Sequence, residues 1–267
     1  MRIVTLVENL VYKQGLAAEH GLSVYIETEN KKILFDTGQS AAFINNAKLL
    51  GINVAEIDAV IISHGHYDHT GGLYPFLKQN SKALVFVKEE LFVPKYHGND
   101  RFIGICKDEL LLKNRLFYID KVTEIEKDVF IMPDIKIYEK LDTHFKGLNI
   151  KDIEGLKTDE FSDELFLAIK SNNQINVVTA CSHRGITNIC KTAVGHFNLP
   201  PGLILGGFHL KDCSLEQYNF IIEYFKSSGT QSIGVCHCTG VEKFANMQHD
   251  LNMHVFYNYT GHEIILP

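Results

Sequence analysis

The sequence predicts an α/β fold in which two mixed β-sheets lie between outer helices. Three observations predict it. Short β-branched and apolar runs occur at both ends of the chain, helical apolar patterns alternate with them after residue 36, and several strand-like runs end in histidine or cysteine. Polar strand tips place their side chains at a sheet rim, where open α/β folds hold ligands. With 267 residues, 45% of them hydrophobic, the chain can bury one large core, so a single domain over residues 1–267 is expected.

Arg2–Val7, Leu22–Thr28 and Lys32–Phe35 read as strands of an opening antiparallel meander. After Asp36-Thr37-Gly38, apolar residues at Ala42, Phe43, Ala47 and Leu50 predict a helix over Ser40–Leu50, with Ser40 as N-cap and Gly51 as the stop. Ile57–Ser63 reads as a buried strand running into His64-Gly65-His66-Tyr67-Asp68-His69; a helix follows from Gly71-Gly72 to about Gln79, then a strand at Ala83–Val87. From about residue 88 to 158 the pattern turns irregular, with short strands at Val129–Met132 and Ile135–Tyr138, and reads as an insertion or cap near the site. Alternation then returns. Strands are expected at Leu165–Lys170, Ile175–Ala180, Leu203–Leu205, Ser232–Val235 and His254–Asn258, the last of them closing the fold. Helices are expected at about Thr187–Phe197, Leu215–Ser227 and Val241–Met247.

Four strand tips carry metal-capable residues: His64, Cys181-Ser182-His183, His209 and Cys236-His237. A lone histidine after a strand is ordinarily a loop residue, but four such tips point to one chemistry. His64 and His66, two positions apart in an extended loop, can turn to one side and grip an ion, with Asp68 and His69 facing a second. Paired ions of this kind lie roughly 3.5–4 Å apart and bind both the attacking and the leaving oxygen. Imidazole and carboxylate suit zinc, the default, while iron, manganese and nickel accept the same donors.

These residues carry a resemblance. His64-Gly65-His66-Tyr67-Asp68-His69 resembles the signature of the metallo-β-lactamase superfamily, and Phe35-Asp36-Thr37-Gly38 resembles the motif that precedes it. Glu19 to Ser23, Ser63 to Leu73, Ala180 to Ile186, Gly206 to Leu210 and Cys236 to Gly240 are similar to one branch. That branch includes the archaeal dihydropterin ribofuranosyl-aminobenzene phosphate synthase and bacterial metal-dependent hydrolases. The resemblance implies the αββα sandwich, with His64, His66, Asp68 and His69 as ligands and His183 and His237 completing two sites. One departure stands out: the later histidine and the aspartate that bridges both ions are not plainly present. By chain order Asp163 or Glu164 lies in the region of that histidine, and Cys181-Ser182-His183 stands where the aspartate would, so Asp163 and Cys181 become further candidates.

On this reading the chain is a hydrolase whose two divalent metal ions activate water against a small phosphorylated substrate, a phosphoester or phosphodiester of nucleotide or pterin type. The alternatives are a dihydropterin-type transferase releasing pyrophosphate and a non-catalytic nucleotide-binding sensor. Asp68 and His209 are the catalytic candidates, His20 and His209 the substrate contacts, and Asp36 an anchor for the ligand loop. His97, His144, His196, His249, His254 and His262 do not group with the cluster, and the charged run Lys121–Lys127 reads as a solvated face. Twenty-six basic against thirty-two acidic residues, a net charge of −6, argue against a nucleic-acid polymer as partner. The opening residues lack a secretory pattern and no apolar run approaches the roughly 20 residues of a bilayer span, so a cytoplasmic protein with no membrane partner is expected. The six cysteines are expected as reduced thiols, and the Cys236-His237-Cys238 spacing is too short for a structural zinc hairpin.

Overall fold

The computed structural model describes all 267 residues. In chain order the strands are β1 (Arg2–Val7), β2 (Ser23–Glu27), β3 (Lys32–Phe35), β4 (Ala59–Ile61), β5 (Leu84–Val87), β6 (Lys95–His97), β7 (Arg101–Phe102), β8 (Leu116–Tyr118) and β9 (Thr123–Glu126). They continue as β10 (Val129–Met132), β11 (Leu148–Asp152), β12 (Gly155–Thr158), β13 (Phe166–Ser171), β14 (Gln174–Val178), β15 (Pro201–Gly206), β16 (Ser232–Val235), β17 (His254–Tyr257) and β18 (Glu263–Ile265). The helices are α1 (Ala42–Leu49), α2 (Tyr67–Thr70), α3 (Leu73–Gln79), α4 (Glu109–Leu112), α5 (Ile186–Phe197), α6 (Leu215–Ser227) and α7 (Val241–Asp250). No helix is long and apolar enough to cross a membrane.

The chain divides into two compact units. The first comprises residues 1–120, 145–163 and 259–266. Its seven-stranded mixed sheet has the order β18-β1-β2-β3-β4-β5-β8. Pairing is antiparallel from β18 to β3, the β1-β2-β3 part as the opening meander predicts, and parallel from β3 to β8. Phe43 and Ala47 of α1 and Leu73, Phe76 and Leu77 of α3 share one buried core with Leu34, Val60 and Val85 of the sheet. Burying each large apolar side chain contributes about 1.5–3 kcal/mol.

The second unit comprises residues 121–144 and 164–258, together with Pro267. Its seven-stranded sheet has the order β17-β16-β15-β14-β13-β10-β9. β14 to β17 run parallel, and α5, α6 and α7 are the crossovers that parallel pairing requires. Ile189 and Ala193 of α5, Ile221, Ile222 and Phe225 of α6, and Met247 of α7 form its core with Val177, Ile204 and Ile233.

Several expectations are corrected. Ser40 is not the cap position of α1: Ala41 holds it, and Ser40, one residue earlier, accepts from Ala42 N–H at 3.1 Å while its hydroxyl donates to Glu19. Ile135–Tyr138 forms no strand; its backbone is taken by side chains, with Arg184 donating to the Ile135 carbonyl and Tyr138 N–H donating to Asn188. His254–Tyr257 is not the closing strand, since β18 follows and pairs with β1. Within residues 88–158, β8 extends the first sheet and β9 and β10 extend the second, while β12-β11-β6-β7 form a separate four-stranded sheet.

Candidate metal centre

In the first unit, the side chains of the histidine motif are set by the end of β3. Asp36 sits in the left-handed region (φ 59°), and its buried carboxylate accepts from Ser63 N–H, the Ser63 hydroxyl and His69 Nδ1, each at 2.7 Å. The Ser63 hydroxyl also lies 2.9 Å from His64 Nδ1. Holding Nδ1 in this way fixes each ring and presents Nε2 as the ligand atom. His66 is extended and serves as the N-cap position of α2, so the motif is not one extended loop; Asp68 and His69 project from a helical turn. The rings nonetheless converge, with centroids 4.7 Å apart for His64–His66 and 4.4 Å for His64–His69. Asp68 Oδ2 lies 3.5 Å from His69 Nε2 and 3.3 Å from Nε2 of the exposed His20. Burial first, then the neighbouring His69 and His66, hold the His64 imidazole well below its ordinary range, which keeps it in the neutral form that ligates metal.

Behind the motif, Gly65 N–H donates to Asp163 Oδ2 at 2.7 Å, and Asp163 Oδ1 pairs with Lys95 Nζ at 2.9 Å. Asp163, a candidate ligand by chain order, is therefore committed to the backbone of the motif and to a buried cation. Lys95 also reaches Asp159 at 2.6 Å, and Asp159 accepts from Phe161 N–H at 2.7 Å. The buried Phe161 ring lies 5.9 Å from His64 and 5.2 Å from His66.

In the second unit, the tips of β14, β15 and β16 assemble another donor set. Glu164, the other carboxylate considered for the absent histidine, accepts from His183 N–H and Arg184 N–H, each at 2.7 Å. It orients the His183 backbone. His183 Nδ1 faces the His144 carbonyl at 3.4 Å, again presenting Nε2. The His209 ring lies 4.5 Å from His183 and 4.9 Å from His144, so His144 joins this group against expectation. Burial, then His209, lowers the His144 imidazole to about 3. Ser182, His209 and His237 all take left-handed φ (57°, 53° and 52°), which turns the chain sharply at each tip. Ligand atoms of Cys181, His183 and His209 lie within 4.8 Å of one another, as do those of Cys181, His237 and Cys238.

Each unit thus gathers the residues singled out within it: His64, His66, Asp68, His69 and His20 in the first, His183, His209, His237 and Cys181 in the second. His144 and Cys238, set aside on sequence, join the second group, and Lys95 and Phe161 carry no sequence expectation. Lys95 and Phe161 carry no motif, and only the pairing of a buried lysine with two distant aspartates reveals them. The chemistry of the donors fits divalent transition metals: buried imidazoles with Nδ1 anchored, a carboxylate and two thiols.

The comparisons with known proteins point to one family. Residues 17–146 match the family model described as the metallo-beta-lactamase superfamily. An uncharacterised protein of Methanocaldococcus jannaschii is 35% identical over 97% of this chain and 98% of its own length. The 7,8-dihydropterin-6-methyl-4-(beta-D-ribofuranosyl)-aminobenzene-5'-phosphate synthase of the same organism is 31% identical, over 90% of this chain and 88% of that protein. A crystal structure of a metal-dependent hydrolase of the beta-lactamase superfamily superposes with a TM-score of 0.87 at 32% identity, covering 100% of this chain and 99% of that one. The chain belongs to the metallo-β-lactamase superfamily and has its fold, with two large mixed sheets and helices.

Proposed function

We propose that this chain is a metal-dependent hydrolase that cleaves a small phosphorylated molecule, a phosphoester or phosphodiester of nucleotide or pterin character. The observation that carries the reading is the convergence of His64, His66 and His69, with Nδ1 of His64 beside Ser63 and Nδ1 of His69 on Asp36. His64, His66, Asp68, His69, His183 and His237 would hold two divalent cations, zinc by default and iron, manganese or nickel by the same donor chemistry. Bound there, such cations would supply polarisation of a phosphoryl oxygen and a water whose pKa falls to about 7.

The chain's own residues do the remaining work. Asp36 and Glu164 orient ligand-bearing backbone and rings through the hydrogen bonds described above. Asp68 would take up a proton, and the exposed His20, 3.3 Å from it, would contact substrate. His209, at the tip of β15, is assigned the proton delivered to the leaving oxygen or a contact to a phosphate oxygen. Support also comes from the metal-dependent hydrolase that superposes along the whole chain.

The synthase relative favours a second reading, transfer of a dihydropterin group from its pyrophosphate to an acceptor with release of pyrophosphate, since its similarity extends over 88% of its length. The test is a turnover screen of phosphomonoesters, phosphodiesters and a pterin pyrophosphate supplied together with an aminobenzene acceptor, on metal-loaded protein with His66→Ala beside it. Phosphoester cleavage lost in His66→Ala is the expected result. Product only from the pterin pyrophosphate with its acceptor would install the second reading, and metal-loaded protein inert to every substrate would overturn the first.

A further inference from the structure

Glu164, the carboxylate that holds the turn after β14, is already committed. Both of its oxygens accept backbone N–H groups, those of His183 and Arg184. What the tips offer alongside imidazole is sulfur. Cys181, at the end of β14, is 3% exposed, and its Sγ lies within 4.8 Å of both Cys238 Sγ and a ring nitrogen of His237, beyond the end of β16.

The position of Cys238 is built rather than incidental. Its thiol donates to the Cys181 carbonyl at 3.6 Å, and its sulfur accepts His209 N–H at 3.3 Å. Gly207 leaves the room it occupies: a Cβ there would stand 2.6 Å from Cys238 Sγ. The Gly207 backbone is itself fixed, its carbonyl accepting from Ser182 Oγ at 2.8 Å and its N–H donating to the Ala180 carbonyl at 2.8 Å.

We propose that Cys181, His237 and Cys238 form a thiolate-bearing metal site in the second unit, selecting a zinc- or iron-class cation over magnesium, calcium or manganese. The inference rests on the reading above that this chain binds metal, and goes beyond its histidine and aspartate ligand set. Each thiol gives up its proton on coordination, and soft sulfur donors exclude the hard cations that prefer all-oxygen sites. The short spacing of Cys236-His237-Cys238 is no obstacle, because the second sulfur comes from β14 and not from Cys236.

X-ray absorption on the zinc-loaded wild-type protein tests this without any substitution. Sulfur scattering at about 2.3 Å is expected beside nitrogen and oxygen at about 2.0–2.1 Å. Cobalt(II) loading gives the second arm: a thiolate-to-cobalt charge-transfer band in the wild type, lost in the Cys181→Ser/Cys238→Ser double variant while the ligand-field bands remain. Bound metal with nitrogen and oxygen scatterers only, or a band that persists in the double variant, would overturn the thiolate site and leave the histidine centre standing. No uptake of either metal would overturn both.

Discussion

Lys95 Nζ lies 2.9 Å from Asp163 Oδ1, and the other oxygen of Asp163 holds Gly65 N–H at 2.7 Å, so a buried ammonium fixes the backbone between His64 and His66. Both side chains are almost fully enclosed, at 2% and 0% exposure. Deleting one partner of such a pair leaves an uncompensated buried charge. Lys95→Met is expected to lower stability by about 3–5 kcal/mol in urea unfolding; a loss under about 1 kcal/mol would show that the cation is dispensable.

Gly65 has no space for a side chain. A Cβ there would collide with the Leu91 carbonyl and stand 2.9 Å from Lys95 Cε. Backbone cannot yield as a flexible side chain can. Gly65→Ala is expected to cost about 1–3 kcal/mol in thermal or urea unfolding and to reduce metal uptake. Wild-type stability and loading in this variant would contradict the packing described.

Asp36 is the support of His69. Asp36→Asn weakens the hydrogen bond to His69 Nδ1 while keeping the shape of the side chain, and metal affinity is expected to fall about 10–100-fold. Competition with a chromophoric chelator measures it, with circular dichroism confirming an intact fold. Unchanged affinity would remove Asp36 from the account.

Burial raises the Asp142 carboxyl to about 7 despite its hydrogen bond from Thr187 N–H. The folded chain therefore favours the protonated form. Its contribution is fully present below the unfolded value of about 3.9 and is lost as pH rises through about 7. Wild-type stability relative to Asp142→Asn is expected to decline by a few kcal/mol between pH 4 and pH 8. Parallel profiles of the two proteins across that window would contradict the raised carboxyl.

Much of this was legible in the sequence because local pattern and site coincide. The opening meander, α6, β10 and β16 were readable from apolar periodicity, and the histidine motif from its own spacing. Where long-range hydrogen bonds decide, reading failed. Ser40 looks like the cap, but the helix starts one residue later and Ser40 also donates to the distant Glu19; Ile135–Tyr138 looks like a strand until Asn188 and Arg184 occupy its backbone. Asp163 and Glu164 were visible as carboxylates in the right region; only their partners show that both orient backbone. His144 was passed over because its grouping with His183 and His209 depends on chain segments far apart in sequence.

Elemental analysis of protein purified without added metal decides whether the histidines of the motif bind metal. A transition metal, zinc foremost, is expected to be retained by the wild-type protein and lost from folded His66→Ala. Wild-type protein that retains none and takes up none on dialysis against zinc, iron, manganese or nickel would contradict it.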